Sequence, residues 1–354
     1  MAQNYMVALL PSNPALALSY IADTLSKSEL VKSTSIWGGC ILAESTSPVE
    51  FAERCRRITG LEIIAVGSIV EGFNDAATQL KKMTVKTLQH IRSYKVSVIR
   101  HSGNKFEEDE EESMHLTGMI IDEMKKRGSV PRDKNAEFVI RILAYQQEYF
   151  IPKLSYEGIG GLPAGINGKA VCLISGGLGS VVAAMEIAKA GFIPLPLLVL
   201  NFVDEGEFRR AVISSCFLTE LTLHKEMELE LVTLEGEYES RKMYEEALKA
   251  AESEARKIGT DYICTGIHIS PELPQLLEVC KRSSCKVINP VLTWDRQRLM
   301  SSLPEELKRR YIYEKHGIAK MVGKEKVVRI ALTDLAQYNK ALDTAIRNLK
   351  AAPS

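Results

Sequence analysis

The sequence predicts an α/β protein, with a mixed α+β N-terminal part and a parallel-sheet C-terminal part covered on both faces. Three observations carry this. From residue 169 onward, short apolar runs alternate with helical patterns, the spacing of strand–helix–strand units. Before residue 158, alternating strand-like runs and amphipathic helices follow one another without that regularity. Between them, residues 158–168 (GIGGLPAGING) cluster glycine and proline, which marks a linker.

The N-terminal part reads as two small units. In residues 1–75, the run 62–70 (EIIAVGSIV) is the clearest strand. Residues 76–165 start with a basic helical segment, 76–91, and a strand, 94–100. Residues 107–112 are all acidic and read as a solvated loop. A helix over 114–124 follows, ending in Lys125, Lys126, Arg127 and Gly128, cations and a glycine where a helix C-terminus prefers them. Strand 136–143 then pairs with 147–154 as a hairpin.

The third unit, 166–354, opens with a buried strand at 169–174, a glycine loop at 175–180 and a helix at 181–190 closed by Gly191. Strands at 195–202, 227–233, 261–265 and 286–291 alternate with helices at 205–218, 239–258 and 274–280. An amphipathic helix over 335–351 closes the chain.

Composition bounds the function. Lys plus Arg is 45 and Asp plus Glu is 45 in 354 residues, with 45% hydrophobic residues, an ordinary globular balance. No apolar stretch reaches the ~18 residues of a membrane span, and the first residues lack a basic, secretory-type start. A cytoplasmic protein is expected, with its seven cysteines reduced. Cys172 and Cys264 lie in apolar runs and read as core. Cys280 and Cys285 flank the basic loop Lys281-Arg282-Ser283-Ser284, which would favour a thiolate and makes them candidate sulfur carriers.

Zero net charge hides local fields. Lys81, Lys82, Lys86, Arg92, Lys95, Arg100 and Lys105 occur with no acid between them, a candidate RNA-phosphate surface as well as a plain solvated face. Lys81, Lys82, Lys86, Arg92 and Lys95 are the candidate RNA-binding residues. A second basic region holds Lys308, Arg309, Arg310, Lys315, Lys320, Lys324 and Lys326.

The glycine loop carries the chemistry. A strand running through Ser175-Gly176-Gly177-Leu178-Gly179-Ser180 into a helix places backbone N–H groups at a helix N-terminus. Phosphate is favoured there, with hydroxyls of Ser175 and Ser180 as further donors. The loop lacks the Walker spacing. As Gly177-x-Gly179-x-x-Val182, with Asp204 after the next strand, it also fits a nicotinamide- or nucleotide-binding Rossmann enzyme.

The same loop matches Ser-Gly-Gly-x-Asp-Ser of the PP-loop ATP pyrophosphatases, with Gly179 in the aspartate's place. Together with residues 158–165 just before it, the run resembles the tRNA 4-thiouridine synthetase (thiamine-biosynthesis sulfurtransferase) family. Ile263-Cys264-Thr265-Gly266 resembles that family's strand ending in Thr-Gly-Glu. Arg241-Lys242-Met243, and Ile288-Asn289-Pro290-Val291 with Trp294-Asp295-Arg296, resemble further segments, so the likeness spans about residues 50–300.

The resemblance implies a ferredoxin-like unit (1–75), a THUMP RNA-binding domain (76–165) and a Rossmann-like PP-loop domain (166–354). It implies tRNA held by its acceptor end, ATP with Mg²⁺ at Ser175, Gly176, Gly177, Gly179, Ser180, Thr265 and Gly266, and no resident metal. Family members adenylate a uridine, and a cysteine-borne sulfur then displaces AMP. A cysteine desulfurase or another sulfur donor is an expected partner, and a homodimer an expected assembly. This sequence departs from that pattern. Gly179 lacks the carboxylate that would help position Mg²⁺, Ile267 replaces the glutamate after Thr-Gly, and no cysteine follows Cys285. The expectation is a tRNA-binding relative whose adenylation chemistry is lost or altered, against an active tRNA sulfurtransferase using Cys280 or Cys285. Gly179→Asp would then strengthen Mg²⁺-dependent nucleotide binding, unless Gly179 needs a positive φ. Asp204 and Asp295 are the alternative carboxylates.

Overall fold

The computed structural model describes residues 5–332 apart from 27, 88–91, 103–104, 127, 133, 201–204, 223–226, 235–237, 306 and 310–325. The predicted closing helix at 335–351, Asp204 and most of the second basic region lie outside the described residues. The chain forms two compact units, Met1–Leu162 and Pro163–Ser354.

The first unit is built on one nine-stranded sheet. Its strands are β1 (Met6–Pro11), β2 (Val31–Trp37), β3 (Cys40–Ser45), β4 (Leu61–Glu71), β5 (Ser93–Ser102), β6 (Lys105–Asp109), β7 (Val130–Pro131), β8 (Phe138–Tyr145) and β9 (Glu148–Glu157). They run in the order β2-β3-β1-β4-β9-β8-β5-β6, with β7 paired to β5. Helices α1 (Pro14–Leu25) and α2 (Pro48–Cys55) pack on β1 and β3. Helices α3 (Phe73–Thr87) and α4 (Glu110–Lys125) pack on each other, α3 also against β9 and α4 against β5. Leu80, Tyr94, Ile120 and Ile142 fill the core beneath them. The sheet curls, because Leu10, Trp37 and Leu42 of β1–β3 share a second core with Leu143 and Phe150 of β8 and β9. The Trp37 indole N–H donates to Glu148 Oε2 at 2.6 Å inside that curl.

The acidic run at 107–112 is not a loop. Residues 107–109 belong to β6, and α4 begins at Glu110, four residues before the predicted start. The reason is a helix cap. Asp109 accepts from the Glu112 backbone N–H at 3.1 Å, and Glu110, Glu111 and Glu112 sit in a first turn whose dipole favours anions. β5–β6 pairing brings Glu108 within reach of Lys95 of the basic strand, at 2.8 Å, while Lys105 pairs with Glu107 of its own strand β6 at 2.6 Å. Arg100 donates to both oxygens of Glu112 at 2.8 and 2.7 Å and to Asp109 at 3.2 Å. Burial disfavours the Arg100 charge, but Glu112 outweighs it and holds the guanidinium above its ordinary value.

The second unit has a six-stranded sheet in the order β14-β13-β10-β11-β12-β15. Its strands are β10 (Lys169–Leu173), β11 (Ile193–Leu200), β12 (Glu228–Thr233), β13 (Tyr262–Cys264), β14 (Lys286–Ile288) and β15 (Lys326–Ala331). β10 through β14 are parallel, as the alternation predicts. β15, unforeseen in the sequence, is antiparallel to β12, a common way to close the edge of a parallel sheet. Helix α5 (Leu178–Lys189) packs on β10, β11 and β13 and against α6 (Glu205–Leu221) and α9 (Arg296–Ser302). Helix α7 (Ser240–Ile258) covers Val171, Leu197 and Ile263 and carries α8 (Leu273–Lys281).

A buried charge cluster fastens β15. Glu230 of β12 and Glu254 of α7 are 7% and 8% exposed and hydrogen-bond each other. Arg329 of β15 reaches them at 3.4 and 3.7 Å, and Lys257 at 3.6 and 2.8 Å. Burial first, then the Glu254 hydrogen bond, raises the Glu230 carboxyl above its ordinary value of 4.5. The folded protein therefore holds this proton more tightly than the unfolded chain does. That contribution is full below the unfolded value and is lost as pH rises through the raised folded one. Urea-unfolding stability should accordingly decline over the pH range just above 4.5. Glu230→Gln, which can hydrogen-bond Glu254 at every pH, should flatten this part of the profile. An unaltered profile in the variant would assign the pH dependence to another group.

Candidate functional site

The chain runs β10, β11, β12 to one side of the second sheet and then returns to the other side of β10 for β13 and β14. The crevice beyond the C-terminal ends of β10 and β13 is thus a topological switch point, where open α/β sheets bind ligands. The glycine loop fills one side of it and residues 265–268 the other.

The loop is held from within. Helix α5 starts at Leu178, three residues earlier than predicted, so the loop's second half is already the first helical turn. Its leading N–H groups have no partner inside the helix, which makes this turn an anion-binding end. Gly177 is the extended N-cap residue, and Gly176 is left-handed at φ 70°. The Ser180 hydroxyl donates to the Gly177 carbonyl at 2.8 Å and accepts from the Ser175 N–H at 3.2 Å. Its proton closes the loop and is not a free phosphate donor, contrary to expectation.

Gly179 owes its identity to sterics and not to φ. A Cβ there would overlap the Gly266 carbonyl oxygen and lie 2.8 Å from His268 Nδ1. A Cβ on Gly266 would in turn overlap the Ser180 backbone. The two segments touch main chain to main chain, so an aspartate at 179 has no room. Thr265, buried at the end of β13, hydrogen-bonds the Asn289 side chain through Oγ1 and the Ile288 carbonyl through its N–H at 3.0 Å. Asp295 caps α9 by accepting from the Arg298 N–H at 2.8 Å.

Cys280 and Cys285 do not sit in a basic loop. Cys280 is in α8, with its Sγ 3.4 Å from Tyr244 Oη. Cys285 precedes β14 and packs against the α7 core. Lys281 is paired with Glu278 at 2.6 Å. Glu252 accepts from Ser283 Oγ at 2.6 Å and from the Ser284 N–H at 2.8 Å. Burial works against the Glu252 charge, but these two bonds prevail and hold it below the usual carboxylate range. The turn therefore carries an anion beside its cations. Burial raises the Tyr244 phenol well above its ordinary value, so it remains protonated beside Cys280. Cys172 and Cys264 are core residues as predicted.

In the first unit, the basic stretch divides. Lys82 of α3 and Arg92 are exposed, and Lys81 and Lys86 lie on the same helix, whereas Lys95 is spent on Glu108. The residues that sequence reasoning misses are Tyr244, His268 and Arg210; Asn289 enters it only as part of a resembling segment, without its bond to Thr265. Arg210 of α6 donates through Nε to the Gly176 carbonyl at 3.0 Å. At 34 positions from its partner, it leaves no local signal.

Because Gly179 and Gly266 are in main-chain contact, Gly179→Ala should lower unfolding stability by about 1–3 kcal/mol. Gly179→Asp should do at least as much, with no gain in Mg²⁺-dependent nucleotide affinity. Denaturant melts and calorimetric titration of the two variants measure this, and a stable Asp variant that binds Mg²⁺–nucleotide more tightly would refute the packing account.

No protein-family model matches the chain. Among curated proteins, it is 29% identical over 249 residues to a probable tRNA sulfurtransferase of Methanocaldococcus jannaschii, covering 65% of this chain and 64% of that one. It is 28% identical over 194 residues to a probable tRNA sulfurtransferase of Thermus thermophilus, covering 50% and 47%. The chain thus matches less than two thirds of the length of these relatives. Among solved structures, a 4-thiouridine synthetase in complex with RNA and bound ATP superposes with a TM-score of 0.68 at 17% identity, covering 99% of this chain and 96% of that one. A protein of Pyrococcus horikoshii superposes at 0.59 with 18% identity, covering 84% and 97%. The fold is therefore that of a 4-thiouridine synthetase, and by sequence the chain is a relative of the tRNA sulfurtransferases.

Proposed function

We propose that this protein binds tRNA through its first unit and a nucleotide at the glycine loop, with the adenylation chemistry of its relatives lost or altered. One observation carries the reading. A Ser-Gly-Gly-x-Gly-Ser loop opens a helix at the switch point of a fold shared with a synthetase crystallised with RNA and ATP. Backbone donors of Gly177, Leu178 and Gly179 need no side chain to meet a phosphate. Gly176 and Gly266 let main chain and ligand approach closely, and Thr265 and Ser175 line the same crevice. Residues 1–75 would supply the ferredoxin-like part, 76–165 the THUMP part and 166–354 the PP-loop part. The tRNA reading also implies a cytoplasmic protein; among the described residues no helix is long and apolar enough to cross a membrane.

The chemistry is the altered part. Release of pyrophosphate from ATP uses Mg²⁺ held by oxygen ligands in line with the reacting bond. Position 179 supplies none and cannot accept one without moving the 265–268 segment. The protein should bind ATP and tRNA without appreciable tRNA-dependent AMP formation. Thin-layer assay of labelled ATP with bulk tRNA checks this, and robust AMP release would overturn it. The tRNA site proposed is the basic face of α3. Lys81, Lys82 and Lys86 reversed to Glu should weaken tRNA binding and reduce the log–log salt slope by about one per lysine. Filter binding over a salt series reads both quantities, and unchanged affinity would exclude α3.

A second reading, an active tRNA sulfurtransferase, draws on the contact between Cys280 and Tyr244. The protonated phenol can donate to a sulfur anion, and Cys280 is only half-buried. A cysteine desulfurase would then load a persulfide on Cys280 or Cys285. Mass spectrometry after incubation with a desulfurase should find that adduct on Cys280 and lose it in Cys280→Ser. Two unmodified thiols would remove this reading.

A further inference from the structure

We infer that Arg210 is a phosphate-contacting residue of the glycine loop, and that its guanidinium supplies there the positive charge that a carboxylate-held Mg²⁺ would otherwise bring. The inference rests on the nucleotide reading above and names the group that would make binding metal-independent. Three observations support it. The first is the contact itself. Arg210 Nε donates to the Gly176 carbonyl at 3.0 Å, so one edge of the guanidinium is fixed to the loop. A guanidinium has five N–H donors in a rigid plane. With Nε engaged, both terminal nitrogens keep their four N–H groups within one guanidinium width of the loop, and among the described residues they have no protein partner.

The second observation is how the arginine is held. Gly176 is left-handed, and any Cβ there would overlap the Glu207 carbonyl of α6. The first turns of α6 thus lie directly on the loop, and Arg210, one turn further along, is half-buried with its carrier helix packed against α5. Little freedom remains to be lost when a ligand arrives, which favours a bidentate contact. The third is the steric exclusion at Gly179, which removes the usual carboxylate from the other side of the same loop. An arginine is always charged, and its planar fork matches two phosphate oxygens. Substitution of a metal by this group predicts binding of ATP without in-line activation of it, in agreement with the proposed loss of adenylation.

The test is calorimetric titration of the full chain with ATP and with AMP, each in Mg²⁺ and in EDTA. Wild-type protein should bind ATP with less than a threefold change on removing Mg²⁺. Arg210→Met should weaken ATP about tenfold or more, while AMP, with a single phosphate, should change much less. Arg210→Lys keeps the charge but cannot both hold the Gly176 carbonyl and reach two oxygens, so it should fall between the two. It also serves if the methionine variant fails to fold, judged by circular dichroism. ATP affinity unaffected by either variant, or ATP and AMP weakened equally, would overturn the proposal and leave Arg210 a support of the loop alone. A wild-type protein that binds neither nucleotide would refute the nucleotide reading itself, and this proposal with it.

Discussion

The second unit is organised around one contact, the main-chain approach of Gly179 to Gly266. It joins the first turn of α5 to the segment leaving β13, across the point where the sheet changes direction. Two backbones can come this close only if neither carries a Cβ. Once they do, the orphan N–H groups of α5 lie at the mouth of the crevice, and Ser180 is drawn under the loop to bond the Gly177 carbonyl. The same closeness removes space for a carboxylate. Architecture and chemistry are here a single constraint, because the packing that shapes the phosphate cradle also excludes the usual metal ligand from it.

The first unit shows how charge in sequence differs from charge in space. Its cations from Lys81 to Lys105 are adjacent along the chain and unopposed there. The β5–β6 pairing and the capped start of α4 then lay carboxylates across Lys95 and Arg100, and Lys105 pairs with Glu107 of its own strand. Exposed ion pairs of this kind contribute little to stability, but they cancel the local field. Among the described residues of this stretch, Lys82 of α3 and Arg92 are exposed cations that could face a polyanion. Arg100, chelated by Glu112 with Tyr149 donating to the same carboxylate, is a structural element of the α4 junction.

Much of this was readable beforehand, for identifiable reasons. Parallel strands buried on both faces announce themselves as short apolar runs, as β10 and β11 do, whereas β12 alternates Glu with Leu and the edge strand β14 is only partly buried. The hairpin of β8 and β9 and the strand β4 follow from alternation. The start of α4 was legible in principle: Asp109 followed three residues later by Glu112 is a capping pattern, masked by the surrounding acids. The antiparallel edge β15 was not, since six residues after a basic stretch carry no topological mark. At the site, the glycines were found from sequence, but the reason for Gly179 was not. Its partner Gly266 is remote in the chain, as are Arg210 from Gly176 and Tyr244 from Cys280, and only the fold brings them together.

The curled sheet of the first unit has a consequence for inheritance. β4 pairs along its length with β9, from Ile63 opposite Glu157 to Glu71 opposite Glu148. A gene break anywhere between these strands would separate the two halves of one hydrogen-bonded ladder. Each fragment would then carry a long, bare strand edge flanked by the apolar side chains of the curl, the kind of surface that joins chains end to end in aggregates. Duplication, fusion or transfer of this unit can therefore succeed only when the stretch from β1 to β9 moves as a whole.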